Sequence, residues 1–218
     1  MRNGNLTTLS SGTSEDGNQA MSPEQAFARL ADGNERYRDG SARLAQFSLA
    51  ESTNLAWGQY PFATVLGCSD SRVPPEIIFD AGPGDLFVVR IAGNVLSPEV
   101  AGSLQYAGSH LHTSLFVVLG HEGCGAVSAA LATRDQGARQ HSRIQTVVEA
   151  ILPGLPPLDL KLSGKALLTN AVESNVRWTM QQILESPEGR LRVAEGRLKI
   201  VGAIYDIASG CVKFMKSE

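Results

Sequence analysis

The sequence predicts one α/β domain: a mostly parallel central sheet of about four strands plus an edge strand, flanked by helices, with an N-terminal helical arm. Three observations predict it. Short apolar runs at 62–67, 85–90, 114–120 and 198–205 lack helical spacing and read as buried strands. Helical patterns at about 98–111, 123–133, 142–152 and 165–186 separate the later runs. No repeat or internal linker divides the 218 residues, and a chain of this length buries roughly 70% of its unfolded surface in a single core.

Taken in order, residues 1–21 are rich in Ser, Thr, Asn and Gly and predict a disordered or extended tail, with the domain occupying 22–218. Ser22-Pro23-Glu24-Gln25 carries the signals of a helix start: Ser22 as N-cap, Pro23 at the first position, Gln25 placed for a capping box. That helix is expected to reach about Tyr37, with Asp39-Gly40 ending it. The last segment, 211–214, alternates in polarity and predicts the edge strand.

Composition narrows the partners. Lys and Arg total 19 against 22 Asp and Glu, a net charge of −3 with no dense basic run, which argues against nucleic acid or an anionic membrane. No run of about 18 apolar residues is present to span a bilayer. The first residues lack the apolar core of a secretory signal, so the expected location is cytoplasmic. Three cysteines, Cys68, Cys124 and Cys211, are too few for a disulfide framework. A small-molecule partner is the expectation.

In sheets of this kind, ligands bind beyond the carboxyl ends of the strands. The first strand run ends in Cys68-Ser69-Asp70-Ser71-Arg72, the third in Gly120-His121-Glu122-Gly123-Cys124-Gly125. Two thiols and an imidazole delivered to one edge of the sheet are the donors Zn2+ prefers, and three protein ligands leave a fourth position for water. Such a metal lowers the pKa of bound water towards 7 and supplies hydroxide at neutral pH. Two buried cysteines and a satisfied core histidine are the plainer alternative. Asp70 and Arg72, two apart, can pair through a bidentate contact. As an isolated pair they would be an ordinary surface ion pair, worth about 0–1 kcal/mol.

Cys68-Ser69-Asp70-Ser71-Arg72-Val73-Pro74 together with Gly120-His121-x-x-Cys124-Gly125-Ala126 resembles the paired signature of β-class carbonic anhydrases, over about residues 22–216. The resemblance implies reversible hydration of CO2 to bicarbonate and a proton, with one Zn2+ per chain on Cys68, His121 and Cys124. It implies Asp70 and Arg72 as the catalytic dyad that orients a zinc-bound hydroxide. In some members that aspartate swings onto zinc at low pH and closes the site. Gln59, Phe87 and Tyr106 match the CO2 cleft of the plant-like subtype, and Gly125, beside the last ligand, is grouped with them as substrate-binding. Val65 stands where the bicarbonate-regulated subtype bears a tryptophan, so an open, water-ligated site is favoured. For Phe87 and Tyr106, plain core packing is the alternative. Arg90 matches a common family arginine and is expected to be structural or interfacial, and Cys211 a small buried residue. The resemblance also implies a homodimer, or a tetramer of dimers, with Gln59 and Tyr106 serving the neighbouring subunit's zinc. Two rival readings share some of these residues: a carbonyl sulfide or carbon disulfide hydrolase on the same scaffold, and a non-catalytic zinc or redox module. The second has no use for the Asp70–Arg72 pair.

Overall fold

A computed structural model describes residues 21–43, 55–157 and 161–216. Apart from Met21, the expected N-terminal tail lies outside the described residues. Met21 itself packs on the core, and its carbonyl accepts a hydrogen bond from Ser114 Oγ at 2.9 Å.

The opening helix α1 runs Pro23–Arg38 with both halves of the expected capping box. Gln25 N donates to Ser22 Oγ at 3.2 Å, and Ser22 N donates to Gln25 Oε1 at 3.0 Å. The strands fall on the apolar runs: β1 Ala63–Gly67, β2 Leu86–Arg90, β3 Leu115–His121, β4 Lys199–Tyr205 and β5 Val212–Phe214. They form one sheet in the order β2-β1-β3-β4-β5, with β5 alone antiparallel. Parallel neighbours need a crossover, and helices supply them. These are α2 Pro75–Ile78, α3 Pro98–Ser109, α4 Gly125–Gln136, α5 Ser142–Ile151, α6 Gly164–Glu185 and α7 Pro187–Ala194.

Side chains alternate along each strand, and the two faces of the sheet carry two separate cores. Leu66, Phe116, Val118 and Ile204 pack with α3 to α6 on one side. Val65, Val117, Leu119 and Ala203 pack with α1 and α2 on the other. None of the described helices is long and apolar enough to cross a membrane.

Among the boundaries that differ from expectation, three have a clear local reason. Helix α4 starts at Gly125 rather than 123, because Gly123 has φ +69° and Cys124 takes the extended N-cap conformation. Helix α3 stops at Ser109, and His112 beyond it is left-handed at φ 55°. The long helix ends at Glu185 because Ser186 opens a further helix, α7, which the periodicity did not reveal. The signal for it was present. Ser-Pro-Glu at 22–24, 97–99 and 186–188 starts a helix each time, with the serine hydroxyl accepting a bond from a first-turn N–H.

Helix α1 is fixed to the sheet by one fully buried amide. Asn34 Nδ2 donates to the carbonyls of Ile78 (3.1 Å) and Gly210 (2.9 Å), and Asn34 Oδ1 accepts from Val212 N at 2.9 Å. Replacing it by an isosteric apolar side chain strands three backbone groups, each costing about 1–3 kcal/mol. Asn34→Leu is therefore expected to lower the unfolding free energy by about 3 kcal/mol or more, measured by urea denaturation of the purified chain.

Candidate active site

The β1–β3 register sets Gly67 opposite Leu119, so Cys68 follows β1 at the height where β3 reaches Gly120 and His121. The left-handed turn at Gly123 then brings Cys124 back to the start of α4. Cys68 Sγ, a His121 ring nitrogen and Cys124 Sγ all lie within 4.8 Å of one another. All three residues are buried, His121 completely.

The donor set fits a zinc ion. His121 Nδ1 lies 3.0 Å from the Glu122 carbonyl, which fixes the tautomer with the proton on Nδ1 and leaves Nε2 as a lone-pair donor. That Nε2 is buried without a hydrogen-bond partner. A buried imidazole nitrogen left unpaired beside two thiols is the arrangement a metal completes. One of the two thiols is already biased towards ionisation, at the expense of the other. Hydrogen bonding from Cys124 pulls Cys68 down to about 4, helped by His121 and by the Gly93 N–H. That bond to the ionised Cys68 pushes the second thiol, Cys124, up, and burial adds to it, while the amides of Val127 and Ala126 at the start of α4 pull the other way.

Asp70 and Arg72 form the bidentate pair that their spacing predicted. Arg72 Nε donates to Asp70 Oδ1 at 2.9 Å, Nη2 to Oδ2 at 2.7 Å, and the Arg72 backbone N–H to Oδ1 at 3.0 Å. The carboxylate thereby sits 3.9 Å from His121 Nε2 through Oδ2, beside the metal-ligating group but bound to Arg72. The Arg72 guanidinium holds its pKa far below the usual carboxylate range. A depressed pKa means the pair is intact above that range and is lost only as pH falls through the lowered value. Asp70 is thus ionised and paired throughout the neutral region.

The exit of β2 forms the other half of the site. Arg90 Nε donates to the Cys68 carbonyl at 3.0 Å and Nη2 to the Asp70 carbonyl at 2.6 Å, so the expected structural arginine braces the ligand loop itself. Beyond it, Gly93 N donates to Cys68 Sγ at 3.4 Å from the 3-10 turn Ala92–Asn94. Gly93 has φ +68°, and an added Cβ would lie 2.8 Å from Ile151 Cδ1, so a larger residue there is strained. Gly125, the first residue of α4, has no atom within 4 Å of where a Cβ would stand, which leaves open space beside Cys124.

The remaining expected cleft residues do not reach this group within one chain. Phe87 pairs with Thr64, four residues before Cys68, which is about 13 Å along the strand. Tyr106 lies beside it, ring centroids 6.1 Å apart, and is 46% exposed. Gln59 is exposed and precedes β1, at the end opposite Cys68. The β1–β2 register therefore sets Phe87 away from the chain's own metal-ligating group. Cys211, as expected, takes no part in the metal-ligating group, although it is only half-buried.

A parallel sheet with two cysteines and a histidine converging beyond its carboxyl edge, and an Asp–Arg pair alongside, defines a zinc enzyme site of the carbonic anhydrase type. The chain matches the carbonic anhydrase family over residues 63–212. It is 40% identical over 189 residues to carbonic anhydrase 2 of Mycobacterium tuberculosis (strain CDC 1551 / Oshkosh), covering 86% of this chain and 90% of that protein. A carbonic anhydrase of Mycolicibacterium smegmatis is 38% identical over 195 residues, covering 88% and 92%. A tetrameric β-carbonic anhydrase from the filamentous ascomycete Sordaria macrospora superposes with a TM-score of 0.70 at 26% identity, covering 88% of this chain and 97% of that one. The chain belongs to the β-carbonic anhydrase family.

If Arg90 braces the ligand loop, shortening it should loosen the metal without unfolding the sheet. Arg90→Met is expected to weaken zinc binding by about tenfold or more in competition with a chromophoric chelator. An unchanged zinc affinity would show that the brace is dispensable.

Proposed function

We propose that this protein catalyses the reversible hydration of CO2 to bicarbonate and a proton, with one Zn2+ per chain held by Cys68, His121 and Cys124. The observation that carries the proposal is the bidentate Asp70–Arg72 contact set 3.9 Å from the unpaired His121 Nε2. A structural zinc site has no need of an orienting carboxylate beside its ligands. Zinc in this position supplies a Lewis acid that makes hydroxide available from water near neutral pH.

The chain's own groups do the rest. Cys68 and Cys124 bind as thiolates and His121 through Nε2. Asp70, unable to take a proton while Arg72 holds it, serves only as an acceptor. It would accept the hydrogen bond of the attacking hydroxide and turn the oxygen lone pair towards the CO2 carbon, the proton of the parent water having passed to buffer. Because both Asp70 oxygens are engaged by Arg72, the carboxylate would leave a bound zinc's remaining position to water, which favours the open, plant-like subtype. The open space beside Gly125 gives the product room to leave.

The apolar wall for CO2 comes from a second copy. Among the described residues, strand β2 is an edge of the sheet whose sequence, Leu-Phe-Val-Val, is only half-buried, and near it Tyr60 is 78% and Tyr106 46% exposed. Unpaired apolar edges of this kind call for a partner. We read the assembly as a homodimer, or a tetramer of dimers, in which Gln59, Phe87 and Tyr106 of one copy face the metal of the other, in the cytoplasm.

Stopped-flow CO2 hydration of the zinc-loaded chain tests this. Turnover is expected at pH 7 as well as at pH 8.5, since a carboxylate with a depressed pKa is not protonated between them. Activity at pH 8.5 alone would mean that Asp70 leaves Arg72 for the metal, and inactivity at both values with one zinc per chain would overturn the proposal in favour of sulfur analogues of CO2. Arg72→Met is expected to lower kcat/KM about 100-fold with zinc content unchanged. Tyr106→Glu is expected to shift the chain towards monomer by sedimentation velocity and to cut turnover at least tenfold together with it.

A further inference from the structure

Two thiolates donate more charge to a metal than neutral ligands do, which opposes the Lewis acidity that CO2 hydration needs. The chain carries a device that answers this. It lies in helix α6, far in sequence from every ligand.

Helix α6 rests directly on the sheet at two strand glycines. A Cβ at Gly120 would meet Val176 Cγ2 at 2.6 Å, and one at Gly202 would meet Met180 Sδ at 2.7 Å. That contact aims the residues preceding Val176 and Met180, one turn apart, at the Ala92–Asn94 turn. Asn175 Nδ2 donates to the Gly93 carbonyl at 2.8 Å, and Thr179 Oγ1 donates to the Asn94 carbonyl at 3.1 Å. Both side chains are buried, at 1% and 0% exposure. The turn they grip is the one whose Gly93 N–H lies 3.4 Å from Cys68 Sγ.

Packing does not account for the amide. Asn175 Oδ1 is buried with no protein partner, a cost of about 1–3 kcal/mol that an apolar residue would avoid. What Asn175 contributes is the bond to Gly93. A hydrogen bond to a thiolate draws charge away from the sulfur and is stronger than one to a neutral acceptor. Groups that orient ligand atoms in this way tune the metal as well as hold it.

We infer that Asn175 and Thr179 are positioning residues for the metal: by gripping the Ala92–Asn94 turn they hold the Gly93 N–H on the Cys68 thiolate and limit the charge that sulfur gives to zinc. The inference rests on the zinc-centre reading proposed above, and it extends that reading to a helix with no residue in the site.

Cobalt(II) in place of zinc reports on it directly through the near-ultraviolet sulfur-to-metal charge-transfer band. Thr179→Val keeps the shape and removes the donor, Thr179→Ser keeps the donor, and Asn175→Leu removes the amide. Thr179→Val and Asn175→Leu are expected to move the band to longer wavelength, as a more electron-rich sulfur gives up its electron more easily, and to weaken zinc binding about tenfold by chelator competition. Thr179→Ser is expected to keep the wild-type band. A purely structural role would lower the unfolding midpoint of the variants and leave the band in place. An unmoved band in folded Thr179→Val overturns the inference even if Asn175→Leu fails to fold, and so does an equal shift in Thr179→Ser. CO2 hydration by the zinc-loaded wild type is read separately. An inactive wild type with shifted variants sinks the proposed activity alone, unmoved variants of an active wild type sink this inference alone, and a wild type that takes up neither metal sinks both.

Discussion

Parallel pairing of β1 with β3 is the constraint from which the site follows. Parallel neighbours end on the same side of the sheet, so residues that leave two adjacent strands at the same height meet whatever the sequence between them. The register Gly67↔Leu119 does this for Cys68 and His121. An antiparallel partner would have sent the second motif to the far edge. Once that height is fixed, only a reversal of the backbone is needed to add Cys124, and the positive φ of Gly123 provides it. Strand β2, paired to the other side of β1, is then obliged to deliver Arg90 and Gly93 to the same loop, since Ile91 N still donates to the Gly67 carbonyl at 3.1 Å.

The same logic explains why small residues stand in the central strands. Gly120 and Gly202 give up side-chain packing and β-propensity, a local cost in the middle of the sheet. In return, α6 approaches the sheet more closely than any side chain would permit. Closeness matters because Asn175 and Thr179 have short side chains and reach only what lies next to the helix. Fold and site are therefore coupled through the seat of one helix. The opposite face works differently: Asn34 on α1 satisfies three backbone groups and has no path to the metal.

Contiguous patterns were legible in the sequence and long-range side-chain contacts were not. The strands showed as apolar runs because both faces of the sheet are buried. Cys68, Asp70 and Arg72 sit within five residues, and His121 and Cys124 within four, so their chemistry is readable from spacing. The order β2-β1-β3-β4-β5 was not, because apolar runs carry no mark of which neighbour they pair with. Asn175 and Thr179 look like two ordinary polar residues inside a helix, and nothing local distinguishes a side chain that bonds a carbonyl more than 80 positions away. Gly93 was visible as part of Ala92-Gly93-Asn94, a glycine-containing stretch after the second strand able to pass close to the cleft, but not as a donor to Cys68. Gln59, Phe87 and Tyr106 rest on resemblance, and the β1–β2 ladder sets Phe87 beside Thr64, four residues before Cys68.

Charge at the site gives these parts a common purpose. A dication with two thiolates is formally neutral, and an adjacent carboxylate would make the group anionic and resist forming a further hydroxide. In this chain each negative group has a donor assigned to it. Cys68 has the Gly93 N–H, Cys124 has the amides at the start of α4, and Asp70 has Arg72. The Arg90 guanidinium also lies against the carbonyls of Cys68 and Asp70. The donors that serve the thiolates are backbone N–H groups, which only proline removes, and they are held by secondary structure rather than by side-chain rotamers. Arg72, by contrast, is a side chain more than half exposed. Of the three negative groups, the carboxylate is thus the one whose donor is a side chain.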